Sequence, residues 1–305
     1  MKLKTLLTLT ILLFSAATTF ASGLADGSKN NPLRVMLIPA DGGSSDVTED
    51  YRPVFEGITK NYGIHFDIRA GSSYGAVIEA MCNDQVEIAW YGAVSFGEAH
   101  KLCGAELLSL DVTKGESVYY SGIYTRKDSG LNSLADLKNH SLALGDVQST
   151  SSFNYPVAML IASGVDPAKD LSKIVMAGSH SSSIAAMKEG RVDACAASFN
   201  SYEKAVKNNI LDPKEYKVLA KSEPIPNPPM AMNTNLSPQL KAKRKEIFNT
   251  IHTKVDPEKI RGYGGKKVDR YDAEYPVEQM LAALEKLGAV TDQVKEAIVE
   301  KASQR

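Results

Sequence analysis

Apolar and polar positions follow two rhythms along this chain. The run Leu33-Arg34-Val35-Met36-Leu37-Ile38-Pro39 reads as a strand, and Tyr51, Val54, Phe55 and Ile58 then recur at helical spacing. A strand at residues 64–68, a helix at 74–81, a strand at 86–90 and a helix at 95–102 continue the alternation. A β-rich stretch at 118–126 interrupts it, and a short helix at 134–138 opens a second series. That series holds strands at 142–145, 174–176, near Asp193 and at 218–220, with helices at 157–162 and 182–188. Such alternation predicts α/β layers on mostly parallel sheets.

The segment Pro224-Ile225-Pro226-Asn227-Pro228-Pro229 ends the second series, and Met230-Ala231-Met232-Asn233 is placed to return as a strand to the first. Ser237-Pro238 then starts a helix with Leu240, Ile247, Phe248 and Ile251 on one face. Another follows Pro276, with Val277, Met280, Leu284 and Leu287 as its stripe. Two similar lobes, crossed once outward and once back, predict a hinged clamshell. Residues 22–120 with 225–305 form its first lobe, and 121–224 its second. Ligands of such sheets bind at strand C-termini, where βα turns converge.

The N-terminus changes the setting. Lys2 and Lys4, an apolar run from Leu6 to Phe14, and small residues at Thr19 and Ala21 form a secretory signal peptide cut after Ala21. Its apolar run is too short to span a bilayer. Cleavage leaves 284 of the 305 residues, a size at which one core tends to split into two. With Lys2 and Lys4 gone from the 35 basic residues, 33 face 36 acidic ones, a net charge of −3. That balance argues against a nucleic-acid or anionic-membrane partner. Export to a bacterial periplasm is an oxidising destination, where Cys82 and Cys103, each ending a predicted helix, either form a disulfide or stay as two thiols. Cys195, in an apolar run, reads as a small buried residue.

The chemistry concentrates in Ser149-Thr150-Ser151-Ser152, between the strand at 142–145 and the helix at 157–162. The first backbone N–H groups of a helix lack internal partners and lie at the positive end of its dipole. Hydroxyl donors added there make a site for a small oxyanion. An N-cap would explain one such residue, and here there are four in a row.

With Ser149-Thr150-Ser151, Gly178-Ser179-His180, Gly190-Arg191-Val192-Asp193, Ile88-Ala89-Trp90-Tyr91-Gly92 and Thr125-Arg126-Lys127-Asp128-Ser129 in order, the chain resembles the periplasmic phosphonate-binding proteins of ABC importers. The resemblance implies the type II periplasmic binding fold, two α/β lobes joined by a β hinge with the ligand in the interlobe cleft. It implies an inner-membrane permease, driven by a cytoplasmic ATPase, as partner. It carries anion-binding roles onto Ser149, Thr150, Ser151 and His180, and cleft-lining roles onto Tyr74 and Tyr119; Tyr91, beside Trp90, is a further candidate. Members that bind aminoethylphosphonate have two carboxylates facing the ligand's ammonium, at positions where this chain has Asn200 and Pro228; Asn200 is thereby expected to face the ligand as well. An ammonium desolvated without carboxylates is poorly compensated, so the expected ligand is smaller and lacks an amine: phosphite, methylphosphonate or phosphate. No cofactor is expected.

Two other classes stand beside this reading. Gly71-Ser72-Ser73-Tyr74-Gly75 matches G-x-S-x-G between a strand and a helix, the setting of a serine hydrolase nucleophile at Ser73. No His-Gly-Gly-type oxyanion segment precedes it. A metal carrier would need ligands gathered from His65, His100, His140, His180 and His252, which are scattered without metal-ligand spacing.

Overall fold

The computed structural model describes residues 23–42 and 44–304; the leader expected at residues 1–21 lies outside them. The first lobe opens with β1 (Leu33–Leu37), α1 (Ser44–Tyr62), β2 (Phe66–Ala70), α2 (Tyr74–Cys82), β3 (Ile88–Trp90), α3 (Ala93–Cys103) and β4 (Glu106–Val112). In β1, Leu33, Val35 and Leu37 are buried while Arg34 and Met36 are partly exposed, the alternation a pleated strand imposes. β5 (Val118–Tyr119) leads out of this lobe.

The second lobe takes β6 (Ser121–Arg126), β7 (Ser141–Leu144), α4 (Tyr155–Ala162), α5 (Pro167–Asp170), β8 (Lys173–Met176), α6 (His180–Lys188), β9 (Ala194–Ser198), α7 (Phe199–Lys207) and β10 (Tyr216–Lys221). β11 (Ile225–Pro226) leads back and pairs antiparallel with β5, Tyr119 opposite Ile225, so the outward and return strands form one two-stranded hinge. β12 (Met230–Met232), α8 (Pro238–Thr250), β13 (Arg270–Asp272) and α9 (Val277–Glu285) then rejoin the first lobe, and α10 (Asp292–Ser303) ends the chain.

The first sheet runs β13-β4-β12-β3-β1-β2 and the second β10-β6-β9-β7-β8. Both are mixed rather than mostly parallel. In the first, β1 pairs in parallel with β2 and β3, and the returning β12 inserts antiparallel between β3 and β4. In the second, β7 pairs in parallel with β8 and β9, while β6 and β10 add an antiparallel edge. Chain crossings bring strands in from the opposite end of each sheet, which periodicity along one segment does not reveal.

The last helix departs from the expected division. Val290 and Ile298 are buried with Leu160, Val165 and Ile174 in the second lobe's core, so α10 packs there and not with the first lobe as residues 225–305 were expected to do. The apolar stripe Val290, Val294, Ile298 marks a helix, but nothing in it says which lobe it covers. α9 stays on the first lobe against α3, where Gly97 allows the approach; a Cβ there would lie 2.5 Å from Leu284 Cδ1.

Cys82 and Cys103 form a disulfide with Cα atoms 5.2 Å apart, joining the C-terminal residues of α2 and α3. Cys195 is buried as a free thiol.

Candidate functional site

Ser149 is the N-cap of a single π-helical turn, Thr150–Asn154, that runs into α4. Turns of this kind recur at functional sites. Its Oγ accepts from the Ser152 backbone N–H at 3.2 Å and from the Ser152 hydroxyl at 2.7 Å, so Ser149 does the capping while Ser152 is turned inward. The Asn154 side-chain amide donates to the Val147 and Ser149 carbonyls, both at 2.9 Å, and closes the loop on itself. Gly145 makes room for it, since a Cβ there would lie 2.0 Å from Ser152 Oγ.

Three more helix starts meet this turn. Tyr74 is the first residue of α2, whose cap is Ser73. Gly92 caps α3, and His180 is the first residue of α6, whose cap is Ser179. All follow C-terminal ends of parallel strands, where open α/β sheets bind ligands. They enclose a cavity of about 10 Å³, on the scale of one water-sized sphere. Ser149, Thr150, Ser151, His180, Tyr74 and Tyr119 line it, with Tyr263 and Gly92; Ile38, Ala40, Trp90 and Pro228 supply apolar surface. No Lys, Arg, Asp or Glu is among these lining residues. Positive potential therefore comes from helix N-termini and oriented donors rather than from cationic side chains.

The donors are held in defined states. The Ser198 backbone N–H donates to His180 Nδ1 at 3.0 Å. Nδ1 is thus an acceptor, the neutral ring carries its proton on Nε2, and burial pushes the imidazole down to about 4 despite the nearby Asp41 charge. Burial likewise raises the Tyr74 and Tyr119 phenols, against hydrogen bonds to Ser149 and to Ser151 and Thr150 respectively that pull the other way, so both keep their protons. Thr150 Oγ1 accepts from the Val94 N–H of α3 at 2.9 Å, across the cleft from its own lobe.

Two expected residues lie elsewhere. Tyr91 is buried with its hydroxyl donating to the Val77 carbonyl at 3.1 Å. Trp90 ends β3 and faces the cavity, so its neighbour points to the other side. Asn200, on the first turn of α7, donates to the Tyr263 carbonyl at 3.3 Å and accepts from Lys266 Nζ at 2.9 Å. Pro228 does line the cavity. Sequence reading missed Tyr263, whose ring centroid lies 5.3 Å from that of Trp90 and 5.8 Å from that of Tyr119. It sits in Gly262-Tyr263-Gly264-Gly265, outside any periodic segment, and an aromatic flanked by glycines was the only available signal.

Ser73 is a helix cap, its Oγ accepting from the Ala76 N–H at 3.1 Å. A larger, open groove of about 310 Å³ lies beside the cavity but carries the Asp41 carboxylate. Among the described residues, no group of three His, Cys, Asp or Glu side chains could hold a metal ion. No helix among them is long and apolar enough to cross a membrane.

Residues 36–274 match the family model described as ABC transporter, phosphonate, periplasmic substrate-binding protein. The chain belongs to this family. It is a substrate-binding component of a phosphonate importer and not an enzyme, which removes the hydrolase alternative at Ser73. The phosphonates-binding periplasmic protein of Escherichia coli strain K12 is 27% identical over 241 residues, 77% of this chain and 70% of that protein. The phosphate-import protein PhnD of Mycolicibacterium smegmatis is 29% identical over 228 residues, covering 71% and 70%. The fold is shared with PhnD1 of Prochlorococcus marinus, solved with methylphosphonate, at a TM-score of 0.68 and 19% identity over 83% of this chain and 98% of that one. A phosphonate-transporter binding protein of Pseudomonas aeruginosa gives 0.71 at 22% identity, covering 88% and 96%. Two lobes of the type II periplasmic binding fold are thus the architecture, and the family's setting is the periplasm with a membrane permease as partner.

Proposed function

We propose that this protein captures a small phosphorus oxyanion lacking an amine, phosphite or methylphosphonate in preference to 2-aminoethylphosphonate, and hands it to an inner-membrane permease. The observation that carries this reading is the lining of the cavity: four helix starts with hydroxyl and imidazole donors, one apolar wall and no carboxylate. Ser149, Thr150, Ser151, His180, Tyr74 and Tyr119 are the proposed contacts. The tetrahedral oxygens face the donors, and P–H or P–CH₃ faces Trp90, Ile38, Ala40 and Pro228. An ammonium would be buried without a counter-charge, a cost of several kcal/mol. Closure of the lobes expels water and strengthens each hydrogen bond by lowering the local dielectric.

Phosphate is the second reading, favoured by the name of the Mycolicibacterium relative. Its additional hydroxyl needs an acceptor, a role open to the Ser, Thr and Tyr oxygens of the lining. Calorimetric titration of the mature protein with phosphite, methylphosphonate, phosphate and 2-aminoethylphosphonate tests the reading. Tight binding of phosphite or methylphosphonate and weak binding of the amine is the expected order. Tight 2-aminoethylphosphonate binding contradicts it, and preference for phosphate selects the second reading.

A further inference from the structure

Tyr263 projects from the first lobe, yet its hydroxyl lies 2.8 Å from Ser198 Oγ and 2.9 Å from Ser201 Oγ, both on the second. Ser201 in turn donates at 2.6 Å to Asp41 Oδ1, which belongs to the loop after β1. A carboxylate only accepts, so the Ser201 hydrogen is committed to Asp41 and the Ser201 oxygen must accept from Tyr263 or Ser198. Lys204 Nζ, on α7 of the second lobe, lies 3.5 Å from Asp41 and 3.2 Å from Asp50 of the first, so ion pairs cross the same seam. Ser198 closes the chain, because its backbone N–H is the donor that fixes His180 Nδ1. An unbroken series of hydrogen bonds therefore runs from Asp41 through Ser201, Tyr263 and Ser198 to the imidazole in the cavity. It crosses between the lobes at Asp41–Ser201 and again at Tyr263. Asp41, Ser198 and Ser201 do not line the cavity.

We propose that Asp41, Ser201 and the Tyr263 hydroxyl form a clasp that holds the lobes shut and orients His180. They are positioning residues, acting on a ligand only through closure and through the imidazole. The role deepens the proposed anion-binding function and rests on it, while the clasp's own hydrogen bonds join only protein atoms. It shifts the open–closed balance, and a ligand that binds only the closed form loses apparent affinity by the fraction of closed protein lost. Every ligand is weakened by the same factor, which separates a clasp from a residue that touches the ligand.

The test is small-angle scattering of the ligand-free mature protein and its Tyr263→Phe and Ser201→Ala variants, with calorimetric titration of phosphite and methylphosphonate. Tyr263→Phe keeps the ring against Trp90 and removes only the hydroxyl, and Ser201→Ala stands in should that variant fail to fold. Both are expected to raise the ligand-free radius of gyration above the wild-type value. Each is expected to weaken phosphite and methylphosphonate by a common factor of about ten, with their ratio unchanged. Ligand-free scattering identical to wild type in both variants overturns the clasp. A changed phosphite-to-methylphosphonate ratio makes Tyr263 a ligand contact and also overturns it. If wild-type protein binds neither compound, the proposed ligand is wrong, and ligand-free scattering still decides the clasp.

Discussion

The backbone N–H of Ser198 donates to Nδ1 of His180 at 3.0 Å, which makes this buried ring a neutral donor through Nε2. Its native value near 4 lies below the ordinary 6.5 because burial disfavours the cation. Between those values the unfolded chain binds a proton that the native protein refuses. The His180 contribution to stability therefore falls as pH drops from 6.5 to 4 and is flat above. In denaturant unfolding without ligand, the wild type should lose about 3 kcal/mol relative to His180→Gln across that window. Parallel pH profiles would contradict the buried neutral ring.

Asp111 should behave in the opposite sense. Its Oδ2 accepts from the Tyr263 N–H at 2.8 Å, and burial lifts the carboxyl to about 7. The native protein then holds a proton that the unfolded chain releases, so stability is lost as pH rises from 3.8 through 7. Asp111→Asn keeps an acceptor for Tyr263 and removes the titration. Its stability relative to wild type should improve by about 4 kcal/mol between pH 4 and pH 8, measured by denaturant unfolding. A constant difference across that range would refute this.

Gly92 and Thr150 set how closely the lobes approach. A Cβ on Gly92 would lie 2.8 Å from Thr150 Oγ1, the atom that accepts from Val94 across the cleft. Gly92→Ala should therefore leave stability within about 1 kcal/mol of wild type while weakening phosphite binding about tenfold or more. Thermal melting and titration together check this, and full affinity in the variant would show that closure does not bring these residues together.

The disulfide braces the site from behind. Cys82 and Cys103 tie the far ends of the two helices whose N-termini reach the cavity. Replacing both with Ala opens a loop with a sequence separation of 21 and should cost about 3 kcal/mol of stability. Ligand affinity at 25 °C should stay within about twofold, since the cavity ends of α2 and α3 are untouched. A large affinity loss in folded protein would mean that the bridge also sets the position of the helix starts.

Much of this was legible in the chain, and the exceptions share a cause. Strands and helices with local periodicity, such as β1 and α2, could be read directly. So could the hydroxyl-rich turn at Ser149, because capping chemistry is local. What escaped depends on contacts between distant segments. Neither the second-lobe packing of α10 nor the place of Tyr263 beside Trp90 is written in any one window. Tyr91 and Asn200 were misplaced for a related reason: both neighbour cavity residues in sequence, but strand alternation turns Tyr91 away and Tyr263 and Lys266 hold the Asn200 side chain.

A crystal structure of the mature protein grown with methylphosphonate tests the central claim most directly. Phosphorus should lie in the cavity, with its oxygens within hydrogen-bonding distance of Ser149, Thr150, Ser151 and His180 Nε2 and its methyl group toward Trp90. Ligand density elsewhere, with the Ser149 turn empty under saturating methylphosphonate, would contradict it.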